Sequence, residues 1–211
     1  MEIYSFDELE STQTYIINKI KDGTYSTPSA VISNIQTNGI GSRDNYWSGK
    51  KDNFFVSIAI DISSLPSDLP IASSSIYFSW IMKDVLISFG IDVWLKWPND
   101  FYYGNNKVGG TITKKIDNKI IFGIGLNLKD SENEYSSLNT DIKAINILRT
   151  YIKNLLLYPE WKYIFVKYNI EFEKSKKFFV HIKNNKTSLK NANLCKDGSL
   201  LIDGKRVFSL R

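Results

Sequence analysis

The chain has 211 residues, 43% of them hydrophobic and 14% aromatic, with a formal net charge of +5, which is enough apolar material for one sizeable core. One cysteine, Cys195, excludes an internal disulfide, and one histidine, His181, leaves no His/Cys zinc site within a single chain. No apolar run approaches bilayer length, and the acidic start Met1-Glu2-Ile3-Tyr4-Ser5-Phe6-Asp7-Glu8 lacks the basic and apolar regions of a secretory signal, so a soluble cytoplasmic protein without membrane association is expected.

Ser11-Thr12-Gln13-Thr14 opens the first predicted helix. Ser11 or Thr12 can cap it, Tyr15, Ile16 and Ile20 share an inner face, and Gly23 can end it. Ala30-Val31-Ile32-Ser33-Asn34-Ile35 reads as a strand. Residues 37–53 are mostly polar with three glycines and read as a long loop, of the kind that serves as a lid over a ligand. Phe54 to Asp61 reads as the next strand. Apolar residues at 71, 77, 78, 81, 82, 85, 86 and 89 predict a helix over 71–89, closed by Gly90. Strands follow near 92–96, 107–116 and 119–128, the last two joined through Asp117-Asn118, and helices at about 141–157 and 160–173 are separated at Pro159.

Beyond Lys176 the pattern changes. Short runs such as Phe178-Phe179-Val180-His181-Ile182 and Ser199-Leu200-Leu201-Ile202 alternate with the turn signals Asn184-Asn185, Asp197-Gly198 and Asp203-Gly204. They predict a small all-β appendage that must lean on the larger part. Two units are expected, 1–173 and 174–211. Charge divides the same way: residues 174–211 hold ten Lys or Arg against two Asp or Glu, and residues 1–173 hold 17 against 20. A solvated lysine-rich surface is the plain reading of that basic end; affinity for nucleic acid or an acidic partner is the other.

The most informative segment is Lys96-Trp97-Pro98-Asn99-Asp100, followed seven positions after Asp100 by Lys107-Val108-Gly109-Gly110. Proline fixes φ and removes an amide donor, so Asn99 and Asp100 should sit at a rigid corner. Two cations, a carboxylate and a carboxamide near glycines suit a nucleotide phosphate with a metal ion: the lysines neutralise phosphate, Asp100 can hold Mg²⁺ or a ribose, and glycines admit close backbone approach. Pro-Asn-Asp alone is an ordinary turn. The whole run at this spacing resembles the central motif of the biotin protein ligases, enzymes that attach biotin to carboxylase carrier domains.

Four further segments resemble that family. Glu10-Ser11-Thr12-Gln13 is similar to its Ser-Thr-Asn motif, with Gln13 in place of the usual Asn. Gln36-Thr37-Asn38-Gly39-Ile40-Gly41-Ser42-Arg43-Asp44-Asn45-Tyr46-Trp47 is similar to its glycine-and-arginine loop: Gln36, Gly39, Gly41 and Trp47 match, but Ile40, Ser42 and Asn45 stand where arginines are usual, leaving Arg43 alone. Phe122-Gly123-Ile124-Gly125-Leu126-Asn127-Leu128 resembles its Gly-x-Gly-x-Asn strand, and the β appendage resembles its small SH3-like C-terminal domain. The resemblance implies an α+β fold of the class II synthetase or biotin ligase-like kind, a mixed, largely antiparallel sheet flanked by helices, with a small SH3-like β C-terminal domain.

The resemblance also implies a two-step reaction. ATP and biotin give biotinyl-5′-AMP with Mg²⁺ present, and a lysine of a biotin carboxyl carrier protein then takes the biotin. It assigns Lys107 to catalysis and to biotin; Ser11, Thr12, Gln36, Gly39, Gly110, Gly123 and Gly125 to biotin; Arg43, Trp47, Lys96, Asn99, Asp100 and Asn127 to the nucleotide; and Asp100 to the metal. A short form without a DNA-binding domain, no DNA partner, and a monomer or weak homodimer are expected. The alternatives are a lipoate or octanoate ligase-like enzyme, or a non-catalytic biotin-binding protein.

Overall fold

The computed structural model describes residues 1–41, 46–49, 51–129, 136–182 and 185–208. Its centre is a sheet whose two faces are set by strand alternation. In β1 (Glu2–Leu9), β2 (Ser29–Ile40), β3 (Tyr46–Gly49), β4 (Phe54–Asp61), β5 (Val93–Lys96), β6 (Asp100–Tyr103), β7 (Asn106–Ile116) and β8 (Lys119–Leu126), the order across the sheet is β1-β2-β4-β8-β7-β6-β5, with β3 paired to the far end of β2. Only β1 and β2 run parallel; the remaining pairs are antiparallel.

Successive side chains of a strand point to opposite faces. Phe54, Val56, Ile58 and Ile60 of β4, with Ile120, Phe122, Ile124 and Leu126 of β8, enter the larger core. Three helices cover that face: α2 (Ser74–Ser88), α3 (Ala144–Leu155) and α4 (Trp161–Ser175). α2 is buried along most of its length, including Tyr77, Phe78 and Met82, so it shows little one-sidedness. On the opposite face, α1 (Thr12–Lys21) covers only part of the sheet, packing Ile16, Ile17 and Ile20 on Val31, Ala59 and Ile121. Ser11 caps α1 by accepting the Thr14 N–H at 3.3 Å.

α4 also secures the sheet edge. β5 has a neighbour on one side only, and unpaired edge amides need partners. The Leu95 N–H donates to Glu171 at 2.8 Å and the Trp97 N–H to Ser175 at 3.1 Å. These side chains are one helical turn apart and the amides two strand residues apart, so both elements advance about 6 Å between contacts. Lys83 of α2 pairs with the largely enclosed Glu171.

The C-terminal strands form two small sheets: β9 (Phe179–Ile182) with β10 (Asn185–Ser188), and β11 (Asn193–Leu194), β12 (Leu200–Ile202) and β13 (Lys205–Val207). Leu189, Ala192, Leu200 and Ile202 join the larger core. The Trp97 indole N–H donates to the Gly198 carbonyl at 2.9 Å, and the Trp161 indole N–H to the Lys196 carbonyl at 2.9 Å.

Several boundaries differ from expectation. β1 was not anticipated, because its exposure does not alternate cleanly. The stretch expected as one long loop is partly sheet: β2 continues to Ile40 and β3 returns along it, with Gly39 opposite Trp47. A Cβ at Gly39 would collide with the Trp47 carbonyl oxygen, so glycine permits the pairing that its polar surroundings disguised. β6 follows directly on the Pro98 corner. The helix expected over 71–89 begins at Ser74 after a 3₁₀ turn at Ile71–Ser73, and that expected from 141 begins at Ala144. Among the described residues no helix is long and apolar enough to cross a membrane.

Candidate active site

Directly opposed residues of antiparallel strands share a face. Gly123 lies opposite Ser57 and Ile112, and Gly125 opposite Gly110. These residues, three of them glycines, occupy the face that α1 leaves open, and above them is a cleft of about 80 Å³. Ser11, Thr12 and Gln13 at the start of α1 form one wall, Gln36, Ile40, Gly41 and Trp47 a second, and Asn99, Asp100 and Lys107 a third.

Polar contacts fix the first wall. The Thr12 backbone N–H donates to Gln36 Oε1 at 2.8 Å and the Thr12 hydroxyl donates to the same oxygen at 2.9 Å. Ser57 Oγ lies 2.9 Å from Thr12 Oγ1. Gln13 Nε2 donates to the Ile121 carbonyl at 3.3 Å, which turns its carbonyl oxygen over Gly123.

Buried polar atoms normally find partners. Three atoms of cleft-lining residues have none: Gln13 Oε1, Asn99 Oδ1 and Trp47 Nε1. Two acceptors and one donor in a preformed hollow are what a polar ligand would satisfy. Asn99 is 2% exposed; its side-chain amide N–H donates to the Thr111 carbonyl, and its backbone carbonyl accepts the Thr111 N–H at 3.0 Å. The Trp47 indole lies on Gly125, where a Cβ would stand 2.9 Å from the ring.

The third wall is electrostatic. Asp100 Oδ1 lies 2.7 Å from Lys107 Nζ, and Oδ2 lies 3.8 Å from Lys96 Nζ. Lys107 is 43% exposed at its side chain, and Lys96 12%. Behind them, burial and then the Asp100 carboxylate push the Tyr102 phenol up to about 12, so it stays neutral. Asp100 is the one carboxylate among the described residues lining the cleft, and no group of three His, Cys, Asp or Glu could hold a metal among the described residues.

Of the residues singled out in the sequence, Ser11, Thr12, Gln36, Trp47, Asn99, Asp100, Lys107, Gly110, Gly123 and Gly125 meet at this cleft. Gly39 sits one residue before its rim, where it admits β3. Lys96 stands behind Asp100. Asn127 lies past the end of β8, where its amide donates to the Ser136 carbonyl at 3.2 Å. Arg43 lies outside the described residues. Sequence reasoning missed Ser57, Thr111 and Ile112. A lone serine in the apolar run Phe54-Phe55-Val56-Ser57-Ile58-Ala59-Ile60 was the available signal for Ser57.

The fold and site together offer a glycine floor suited to a small polar ligand and a lysine, Lys107, suited to an anionic group. Residues 5–130 match the biotin/lipoate A/B protein ligase family, and the chain belongs to that family. Its structure is similar to the crystal structure of biotin acetyl coenzyme A carboxylase synthetase from Helicobacter pylori with bound biotinylated ATP, at 35% identity and a TM-score of 0.94, covering 98% of this chain and 99% of that one. It is 28% identical over 138 residues to the bifunctional ligase/repressor BirA of Escherichia coli, covering 62% of this chain and 42% of that protein. It is 29% identical over 127 residues to biotin–protein ligase 2 of Arabidopsis thaliana, covering 56% and 38%. The chain thus spans about two fifths of the length of these two relatives.

Proposed function

We propose that the protein is an ATP-dependent biotin protein ligase, which converts biotin and ATP into biotinyl-5′-AMP and transfers the biotinyl group to a lysine of a carboxylase carrier domain in the cytoplasm. The observation that carries this reading is the cleft itself: a glycine floor, three unpartnered buried polar atoms, and Lys107 at its mouth. The H. pylori structure with biotinylated ATP adds support at 35% identity over nearly the whole chain.

On this reading biotin lies on Gly123 and Gly110, beside the Trp47 ring that covers Gly125, with its ureido ring toward Thr12, Gln13 and Gln36. Its carboxylate points to Lys107. In the first step that carboxylate attacks the α-phosphate, a P–O bond to pyrophosphate breaks, and Lys107 neutralises the charge that grows on the transferring group. One such donor is worth about 10²–10³ in rate. In the second step the carrier lysine amine attacks the mixed anhydride, forming an amide and releasing AMP. Trp47 and Asn99 would face the nucleotide. Magnesium would arrive with ATP and supply charge neutralisation at its phosphates, and Asp100 is the cleft carboxylate that would hold it.

The 174–211 segment is proposed as the family's small C-terminal domain, bracing the Trp97 corner through Gly198. Release of pyrophosphate from ATP that depends on biotin tests the reading. Release that depends on lipoate instead, or no release, would contradict it.

A further inference from the structure

Building on the ligase reading above, we infer that Lys96 is a positioning residue for Lys107: it is the standing counter-ion of Asp100 and so frees Lys107 to turn to the anionic groups of the substrates. Two lysines approach opposite oxygens of one carboxylate, at 2.7 Å for Lys107 and 3.8 Å for Lys96. Their surroundings differ. Lys107 lines the cleft and is 43% exposed. Lys96 is off the cleft wall, 12% exposed, with its ammonium 5.5 Å from the centre of the Tyr102 ring and 5.8 Å from that of Phe178. Ring faces attract a cation. Phe178 is itself packed on Trp94 and Tyr102, at 5.3 Å and 5.2 Å between ring centres, so Lys96 is held in a fixed aromatic corner.

Asp100 is 14% exposed, and a carboxylate so enclosed is costly to leave without a cation. If Lys107 were its sole counter-ion, a carboxylate or phosphate entering the cleft would have to compete with Asp100 for it. With Lys96 in place, Asp100 keeps a cation when Lys107 departs. Lys96 therefore touches no substrate and acts through Asp100.

The test compares biotin with biotinol, in which a CH₂OH group replaces the carboxylate, by titration calorimetry without nucleotide or metal. The ratio of the two Kd values reads how available Lys107 is to a carboxylate. Wild type should favour biotin by about ten-fold or more, the worth of one charge-assisted contact. Lys96→Met should bring the ratio to about one, while Lys96→Arg keeps it. Asp100→Asn combined with Lys96→Met should restore it, and Asp100→Asn alone should raise it above wild type. A cooperative thermal melt shows that each variant is folded; if Lys96→Met does not fold, Lys96→Gln is read in its place. A wild-type ratio in Lys96→Met, a double variant as poor as the single, or no rise in Asp100→Asn overturns the inference. So does a ratio near one in wild type. Failure of wild type to bind either compound is a separate result, which overturns the ligase reading itself.

Discussion

Gly123 and Gly109 lie on opposite faces of neighbouring strands, and the same substitution should have opposite consequences at the two. At Gly123 a Cβ would lie 2.9 Å from Gln13 Oε1, 3.2 Å from Ser57 Oγ and 3.4 Å from Ile112 Cγ1. The closest atom is the end of a flexible side chain that can turn away. Replacing glycine by alanine within a strand also stabilises by about 0.5–1 kcal/mol. Stability of Gly123→Ala should therefore stay within about 1 kcal/mol of wild type, a Tm change of about 2–4 °C at this chain length. Its methyl group, however, projects into the cleft floor. Overpacking of a fitted site costs about 1–3 kcal/mol, so biotin affinity should fall by about 5- to 150-fold.

At Gly109 a Cβ would lie 2.5 Å from the Gly125 carbonyl oxygen, 2.6 Å from Leu126 Cδ2 and 3.3 Å from Leu126 Cα. Backbone cannot yield there without distorting the β7–β8 pairing. Gly109→Ala should lose about 1–3 kcal/mol of stability. Differential scanning fluorimetry and titration with biotin measure both quantities. Wild-type biotin affinity in Gly123→Ala would refute the floor as a ligand wall, and wild-type stability in Gly109→Ala would refute the packing argument.

Lys107→Ala should lower biotin-dependent pyrophosphate release by about 10²–10³ while changing stability by less than about 1 kcal/mol, since the lost ion pair is partly exposed and Asp100 keeps Lys96; activity and thermal melts on the same preparation check this. Ile40 is 47% exposed on the cleft wall, where an arginine would reach an anionic ligand, so Ile40→Arg should slow biotinyl-5′-AMP dissociation about ten-fold, read by stopped-flow fluorescence. Trp97→Phe removes the N–H that satisfies the Gly198 carbonyl and should cost about 1–3 kcal/mol in chemical denaturation, with the loss shared by signals from both the main sheet and the C-terminal strands.

The helices and the central strands were legible as long apolar runs bounded by turn residues, as in the 71–89 stretch and Phe54–Asp61. β1 and the β2–β3 hairpin were hidden because an edge strand and a strand interrupted by glycine and asparagine lack alternation, and only pairing across the sheet reveals them. In the site, spacing brought Lys107, Asp100 and Asn99 together because a two-strand hairpin joins them. Ser57 and Ile112 could not be placed, since their position depends on register with β8. Lys96 was grouped with the nucleotide-facing residues; it lies opposite Asp100 on the same face of the sheet, with its ammonium 5.5 Å and 5.8 Å from the ring centres of Tyr102 and Phe178.

The central claim is biotin activation in this cleft. The most direct test is pyrophosphate release from ATP by the purified chain, with biotin or lipoate as the added acid and Lys107→Ala as control. Release is expected with biotin alone, at least about a hundred-fold slower in Lys107→Ala. Release driven by lipoate, or by biotin at an equal rate in both proteins, would contradict it.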